Sequence, residues 1–176
     1  MLNSGQLIGC LLISLLFSVF SLSAQASAQA ARRSHCSETI PTAVQKIIQQ
    51  RYPGFHVLTK KESGHGCPGI AKVDVYGDGR TVYAIVILTD RGFGWQKAGK
   101  LLLAKKNAHY WEVEVLDEGD GYPGSLWHES AGQYGDRYGE KTLRSKGEVI
   151  IYFGHESWER AYGWTGEKIE WVQLSD

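Results

Sequence analysis

Residues 81–89 constrain the fold more than any other part of the chain. If this stretch is an extended strand, both of its faces are apolar. The alternating positions are Val82, Ala84, Val86 and Leu88 on one face and Tyr83, Ile85 and Ile87 on the other. A β-strand without a polar face is typical of the interior of a sheet rather than its edge. We therefore predict that residues 81–89 form the most central strand.

One helix and further strands are predicted around this segment. A helix begins at Pro41 and ends before Pro53, since apolar residues recur at spacings of three and four between the two prolines. Other strands are expected at residues 55–59, 71–76, 100–105, 110–116, 148–153, 158–163 and 168–174. The pattern predicts an α+β fold in which one N-terminal helix packs on an antiparallel, meander-like sheet of six or seven strands. A small β-barrel is the alternative.

Residues 110–116 alternate between apolar and acidic side chains. The period of two predicts that Trp111, Val113 and Val115 face inward and that Glu112 and Glu114 face water. Solvation explains the two glutamates better than the paired carboxylates of a glycosidase.

The N-terminus predicts export. Residues 7–20 form an uncharged apolar run that is shorter than the roughly 20 residues that a membrane-spanning helix needs. Small-x-small patterns follow, ending at Ala26 and Ala30. We therefore predict a signal peptide at residues 1–30, a single globular domain at residues 31–176, and a periplasmic or secreted location. The alternative is an uncleaved membrane anchor.

Two cysteines remain after removal of the predicted signal peptide. Cys10 leaves with that peptide, so Cys36 and Cys67 are expected to form a disulfide bond in an oxidising compartment. His35 and His65 lie close to them in sequence and could make a two-Cys, two-His metal site. The spacing differs from that of structural zinc sites, which favours the disulfide.

The turn at residues 74–79 reads Asp-Val-Tyr-Gly-Asp-Gly. It resembles the calcium loop of FG-GAP repeats, and this resemblance implies oxygen ligands at the first, third, fifth and ninth positions. Asp74 and Asp78 match, but Tyr76 and Val82 stand at the third and ninth, so we expect a hairpin turn with no metal. The wider pattern resembles small exported bacterial domains of unknown function and brings no known activity. The sequence indicates no cofactor.

Motifs for common hydrolytic chemistry are absent from the sequence. No G-x-S-x-G or S-x-x-K occurs. His128-Glu129 and His155-Glu156 begin like H-E-x-x-H, but neither is followed by the second histidine. We assign no catalytic residue, although either His-Glu pair could serve as acid and base if the fold brought it together.

Residues 117–146 form a long segment between two predicted strands. Its aromatic residues are Tyr122, Trp127, Tyr134 and Tyr138. Aromatic side chains dominate interface hot spots, so we predict an ordered excursion that forms a binding face, with Trp127 and Tyr134 as anchors. The alternative is a hidden strand whose aromatic side chains close the core.

The charge balance narrows the class of partner. Lysine plus arginine (19) equals aspartate plus glutamate (19), which argues against a nucleic-acid ligand. The leading hypothesis is an exported non-enzymatic binding domain, such as an inhibitor or immunity-type protein acting on another exported protein, with no membrane association after signal cleavage. The alternative is a cell-wall accessory protein that binds or hydrolyses peptidoglycan or another glycan.

Overall fold

The computed structural model describes residues 39–63, 67–89, 98–120, 123–154 and 158–176, which belong to the compact unit His35–Asp176. Within these ranges the chain forms one α-helix and eleven β-strands. The elements in chain order are α1 (Thr42–Arg51), β1 (Phe55–Val57), β2 (Ile70–Val73), β3 (Val82–Thr89), β4 (Ala98–Lys106), β5 (Trp111–Asp120), β6 (Pro123–Glu129), β7 (Gly132–Gly135), β8 (Thr142–Ser145), β9 (Val149–Gly154), β10 (Glu159–Trp164) and β11 (Ile169–Ser175).

The strands form three antiparallel sheets. Sheet A has the order β1-β3-β4-β5, and β2 also pairs with β3. Sheet B has the order β11-β10-β9-β6, and sheet C is the hairpin β7-β8. The predicted α+β fold with antiparallel strands and a helix near the N-terminus is confirmed. The prediction of one sheet with six or seven strands is wrong, and the described strands close no barrel.

The helix and sheets A, B and C form four layers, and one apolar core lies between each pair of neighbouring layers. The helix places Val44 and Ile48 on one face of sheet A, where Ile85 and Ile87 of β3 contact them. The other face of sheet A packs on sheet B. This inter-sheet core includes Val86, Leu88, Leu101, Leu103, Leu126 and Ile150. The outer face of sheet B packs on sheet C in a third core, which we call the outer core. β3 contributes to both cores of sheet A, as its two apolar faces predict.

The predicted helix is confirmed as α1. Pro41 occupies the N-cap position, and Tyr52 ends the helix with its amide donating to the carbonyl of Ile48 at 2.9 Å. Gly54 follows with φ at +83°, which the missing Cβ allows without strain. Arg51, in the last turn, donates to the carbonyl of Val113 on β5 at 2.7 Å and so ties the helix to the edge of sheet A.

A β-bulge in β5 changes the predicted alternation. Leu102 pairs with Val115, but the preceding Leu101 pairs with Asp117, so Leu116 is an extra residue on β5. Leu116 packs against the inter-sheet core, whereas Val115 is 41% exposed. Val115 precedes the bulge and pairs with Leu102, so it stays on the same face as Val113. The prediction that Val115 faces inward is nevertheless wrong, because the helix-side core does not extend to this part of the edge strand. Glu114 is half-buried rather than fully solvated.

The bulge also directs Asp117 toward sheet B. Its Oδ2 accepts a hydrogen bond from Arg160 Nη1 at 2.6 Å and another from the Tyr162 hydroxyl. Burial and the Asp117 carboxylate raise the pKa of Tyr162 well above its usual value. Asp117 lies in the segment that was predicted to be an excursion. Its carboxylate links sheet A to sheet B.

The segment at residues 117–146 contains the end of β5, all of β6, and the hairpin β7-β8. Its glycines and short strands give little periodicity, which is why the sequence pattern indicated an excursion. The structure corresponds to the alternative of hidden strands whose aromatic side chains help to close a core.

The predicted signal peptide and Cys36 lie outside the described residues. Cys67 is buried at 3% exposure, and the Cys36–Cys67 bond stays a prediction. Among the described residues, no helix has the length and apolar character of a membrane span.

Candidate binding cleft

An open cleft of about 820 Å³ lies at the end of sheet A where β4 ends and β5 begins. The β2–β3 turn, both strands of the β4–β5 hairpin and the β10–β11 turn contribute its walls. Its surface combines apolar, aromatic and charged side chains. We refer to it below as the cleft.

The β2–β3 turn is held by one carboxylate. Asp74 Oδ1 accepts from the amides of Gly77 at 3.0 Å and Asp78 at 3.2 Å, and Oδ2 accepts from Gly79 at 2.9 Å. Gly77 and Gly79 have positive φ, which suits this tight turn. The carboxylate that the FG-GAP resemblance would assign to calcium is therefore used by backbone amides. The described residues contain no group of three or more His, Cys, Asp or Glu side chains that could hold a metal ion.

A second contact fixes the turn against sheet B. The amide of Asp74 donates to Glu148 Oε2 at 2.7 Å, and the amide of Glu148 donates to the carbonyl of Asp74 at 2.9 Å. Gly147 lies so close that a Cβ there would be 2.3 Å from the carbonyl oxygen of Val75. The turn that carries Tyr76 is thus packed backbone against backbone on the β8–β9 loop.

Tyr76 and Trp164 form the aromatic part of the cleft. Their ring centroids are 5.1 Å apart, with the ring planes at 74°, which is an edge-to-face arrangement. Trp164 is the last residue of β10, and the turn after it is closed by the Thr165 amide donating to the carbonyl of Lys168 at 3.0 Å. Both rings are half-buried, and burial raises the pKa of Tyr76.

Three cations line the cleft, and each has a carboxylate partner. The N–O distances are 2.6 Å for Arg80–Asp78, 3.4 Å for Lys105–Glu112 and 3.0 Å for Lys168–Glu170. Burial would lower the pKa of Lys105, but Glu114, Tyr76 and Glu112 together raise it above its usual value.

Glu114 differs from the other carboxylates around the cleft. Within the part of the chain that the structure describes, its side chain makes no ion pair within 4.0 Å and no hydrogen bond. It lies close enough to Lys105 and Tyr76 to affect their titration. Its oxygens therefore have unused capacity to accept hydrogen bonds at the wall of the cleft.

The residues predicted as a binding face do not share one surface. Trp127 is 4% exposed in the outer core, and its Nε1 donates to Glu129 Oε1 at 3.1 Å. Tyr134 packs against the same core and donates to the carbonyl of Ser130 at 2.7 Å. Tyr138 is 65% exposed, and its hydroxyl donates to Asp176 at 2.9 Å. Tyr122 lies outside the described residues.

The predicted His-Glu pairs do not assemble an acid–base site in the described chain. His128 and Glu129 are neighbours on β6, so their side chains leave opposite faces of sheet B. His128 Nδ1 lies 3.3 Å from Glu148 Oε1 instead, while Glu129 accepts from Trp127. His155 and Glu156 lie outside the described residues.

A separate polar cluster surrounds Glu62 after β1. The Glu62 carboxylate accepts from the Thr59 amide at 3.0 Å, from the Thr59 hydroxyl at 2.7 Å, and contacts His56 Nε2 at 2.9 Å. Burial alone would raise the pKa of Glu62, but the hydrogen bonds from Thr59 and His56 outweigh it and lower the pKa to about 2. The ionised form of Glu62 therefore stabilises the folded state.

This cluster predicts an acid-sensitive contribution to stability. A carboxyl group with a folded pKa near 2 and an ordinary value of 4.5 contributes fully above pH 4.5, and the contribution is lost as pH falls toward 2. Glu62→Gln should lower the free energy of unfolding by about 1 kcal/mol at pH 7, and the difference from wild type should shrink between pH 4.5 and 2. Urea unfolding at several pH values measures this. Glu167→Gln, on the exposed turn before β11, controls for the loss of one charge, and a difference that stayed constant down to pH 2 would contradict the assignment.

Sequence reasoning missed the cleft. Four separate elements contribute Tyr76, Lys105, Glu114 and Trp164. The pairing of β4 with its neighbours β3 and β5 and the packing of sheet A on sheet B bring them together. The one local signal is the turn at residues 74–79, whose third position carries an aromatic residue in place of a calcium ligand.

Comparison with known proteins identifies no relative. No family model, no curated protein and no solved structure matches this chain. The function is therefore argued from the geometry of the cleft.

Proposed function

We propose that the protein is an exported non-enzymatic binding domain, of an inhibitor or immunity type, whose cleft receives part of another exported protein. The observation that carries this proposal is the cleft itself, which combines apolar, aromatic and paired charged side chains. Its volume of about 820 Å³ lies within the range of ligand sites, roughly 300–1,000 Å³. The proposal that the protein is exported rests on the predicted signal peptide.

Preorganisation supports a binding role. The turn bearing Tyr76 is fixed by Asp74 and by the close approach of Gly147, and the charged walls are held in ion pairs. Ordering costs reduce affinity, so a site whose side chains already have partners retains more of its contact energy. Exposed apolar surface at Val115, which is 41% exposed, offers area for a partner to bury.

Glycan binding is the second candidate function. The half-buried rings of Tyr76 and Trp164 line the cleft and could contact the apolar face of a sugar. In this case the protein would act as a cell-wall accessory protein and would be retained on peptidoglycan.

Affinity capture with a blocked cleft tests the proposal. Residues 31–176 are immobilised as wild type, as Val115→Arg at the rim of the cleft, and as Tyr110→Arg. Tyr110 is 63% exposed and does not line the cleft, so its variant controls for an added surface charge. We expect a stoichiometric protein from a periplasmic extract with wild type and Tyr110→Arg, and at least a tenfold loss with Val115→Arg, corresponding to about 1.4 kcal/mol.

Two results would contradict the proposal. Equal capture by all three proteins would place the partner on another surface. Retention on purified peptidoglycan that Val115→Arg abolishes, with no protein captured, would instead support glycan binding.

A further inference from the structure

We infer that the protein partner binds by strand addition: an extended segment of the partner pairs with the outer edge of β5, beside the cleft. This inference rests on the proposed function and names the part of the partner that is bound. Three features of the molecule lead to it: the free edge of sheet A, the direction of the backbone groups along that edge, and the charges that disfavour a second copy of this chain.

β5 is the long free edge of sheet A. It is the last strand in the sheet order, so one side of it has no neighbouring strand among the described residues. β5 has ten residues, and its pairing with β4 is regular over residues 111–115, before the bulge. β1, at the other end of the order, has only three residues. An unpaired strand edge presents a row of N–H and C=O groups that an extended chain can satisfy.

The backbone groups of three residues on β5 point away from β4. The amide of Asn107 donates to the carbonyl of Tyr110 at 2.9 Å, so this pair closes the β4–β5 hairpin. In an antiparallel ladder, hydrogen-bonded pairs alternate with pairs whose backbone groups point to the outer sides. Counting on from the closing pair, Trp111, Val113 and Val115 belong to the second kind. Their N–H and C=O groups are therefore directed at the free side of β5.

A hydrogen bond from Arg51 agrees with this direction. Arg51 Nη1, in the last turn of α1, donates to the carbonyl of Val113 at 2.7 Å. A side-chain donor thus occupies one position at which an added strand would place its own N–H. Within the described chain, the outward groups of Trp111 and Val115 have no hydrogen-bond partner. Both residues keep a donor and an acceptor available to an extended partner.

The β11 edge of sheet B, by contrast, is already covered. The carbonyl of Gln173 accepts from the amide of Arg137 at 2.8 Å, and the carbonyl of Trp171 accepts from Lys141 Nζ at 2.7 Å. Both donors lie in the turn between β7 and β8. A partner strand would have to displace these contacts, so β5 is the better site for strand addition.

The side chains along β5 determine the two faces of the added strand. Val115 is 41% exposed and shares the helix side of sheet A with Trp111 and Val113. Apolar side chains placed opposite these three residues would form favourable cross-strand pairs. Glu112 and Glu114 lie on the side that faces sheet B, and Glu114 lines the cleft. A side chain opposite Glu114 would therefore lie at the wall of the cleft, and an acidic one is disfavoured because like charges repel.

The same charges argue against a second copy of this chain. If two β5 strands paired antiparallel about Val113, Trp111 would lie opposite Val115, but Glu112 of one chain would lie opposite Glu114 of the other. Like charges directly opposite each other destabilise a strand pair. The occupant is therefore an extended segment of a different chain, apolar on one face and polar but not acidic on the other.

A peptide whose backbone donors can be blocked tests strand addition. Acetyl-Val-Thr-Val-Thr-Val-amide has valine on one face and threonine on the other, and a second peptide carries N-methyl groups on its three valines. Each is titrated into the mature protein, residues 31–176, and the amide proton of Val115 is followed by NMR. We expect the unmodified peptide to shift this signal downfield saturably. It should bind at least about tenfold more tightly than the peptide with N-methylated valines.

A third peptide controls for the added methyl groups. It carries N-methyl groups on the two threonines, whose N–H groups point away from β5 when the valines lie opposite Val115 and its outward neighbours. It should bind within about threefold of the unmodified peptide. The amide of Glu114 is directed at β4, so its signal should shift less than that of Val115.

Matched variants locate the edge that is responsible. Val115→Pro removes one outward N–H, and proline is tolerated there because that N–H makes no bond to β4. Binding of the unmodified peptide, followed at the Trp111 amide, should weaken about tenfold. Val115→Ala keeps the N–H and should weaken binding about threefold at most. Circular dichroism and urea unfolding of both variants confirm that the fold is retained.

Several outcomes would overturn the inference. Equal binding of all three peptides, no binding of any, or no effect of Val115→Pro would each do so. Dimerisation that Val115→Pro abolishes would indicate a second copy on the β5 edge, and stronger binding of the N-acetylglucosamine trimer would indicate a glycan. If the peptides fail while Val115→Arg still abolishes protein capture, the inference fails and the proposed function stands. If the peptides bind as expected but capture ignores Val115→Arg, the proposed function fails and strand addition at β5 stands.

Discussion

Trp127→Ala should lower the free energy of unfolding by about 4 kcal/mol, because it removes the largest side chain of the outer core. Trp127 is 4% exposed and packs with Val149 and Ile151 of β9 and with Leu143 of sheet C. The substitution opens a cavity between sheets B and C. It also removes the donor to Glu129. Urea unfolding should show a lower midpoint with an unchanged slope.

Trp171→Ala is the matched control for Trp127→Ala. Trp171 is 42% exposed at the edge of sheet B, where its ring lies 4.8 Å from the Arg160 guanidinium. Because much of that ring is already solvated, we expect a loss of about 1 kcal/mol. Equal losses for the two variants would contradict the burial of Trp127 in a core. A Trp127→Ala protein of unchanged stability that had lost binding in the affinity capture would instead support the prediction that Trp127 anchors a binding face.

Gly147→Ala should lower the free energy of unfolding by about 3 kcal/mol, since the new methyl group meets backbone atoms that cannot rotate away. The added Cβ would lie 2.3 Å from the carbonyl oxygen of Val75 and 2.5 Å from that of Asp74. Relief requires the β2–β3 turn to separate from the β8–β9 loop. The wall of the cleft that carries Tyr76 should therefore move as stability falls, and urea unfolding of Gly147→Ala measures the loss.

Gly119→Ala supplies the control for Gly147→Ala. Gly119 lies on β5 without a positive φ, and no heavy atom lies within 4 Å of the position that a methyl group would occupy there. Its substitution should change the free energy of unfolding by no more than about 0.5 kcal/mol. A comparable loss at both glycines would contradict the assignment of the effect to the contact between the two loops.

Local patterns were sufficient for the elements whose own periodicity is strong. The helix between Pro41 and Pro53 and the two-faced apolar strand β3 are where the sequence predicts them. The bulge at Leu116 has no such pattern, because an extra residue in a strand depends on the pairing with β4. Strands β7 and β8 are four residues each and mostly exposed, so they lack the apolar alternation that marks a strand.

The candidate site was less predictable than the fold. Trp127 lies in a glycine-containing segment, and composition alone could not separate a core tryptophan from an interface anchor. Glu114 looks solvated in the alternation of β5, and only the placement of Lys105 and Tyr76 beside it gives its charge a role. Pairing between distant strands decides both cases, and a single sequence read locally does not contain that information.

The pairing of β6 with β9 has a consequence for the order of folding. In the sets β3-β4-β5 and β9-β10-β11, each strand pairs with the strand that follows it in the sequence. Both sets can therefore form by pairing strands that are joined by single connections. β6 must instead pair across the intervening β7-β8 hairpin, and the inter-sheet core joins residues as far apart as Leu58 and Tyr162. Local pairings have the smaller closure entropy and form faster. We therefore expect the cleft, which needs both sheets, to become complete only in the last stage of folding.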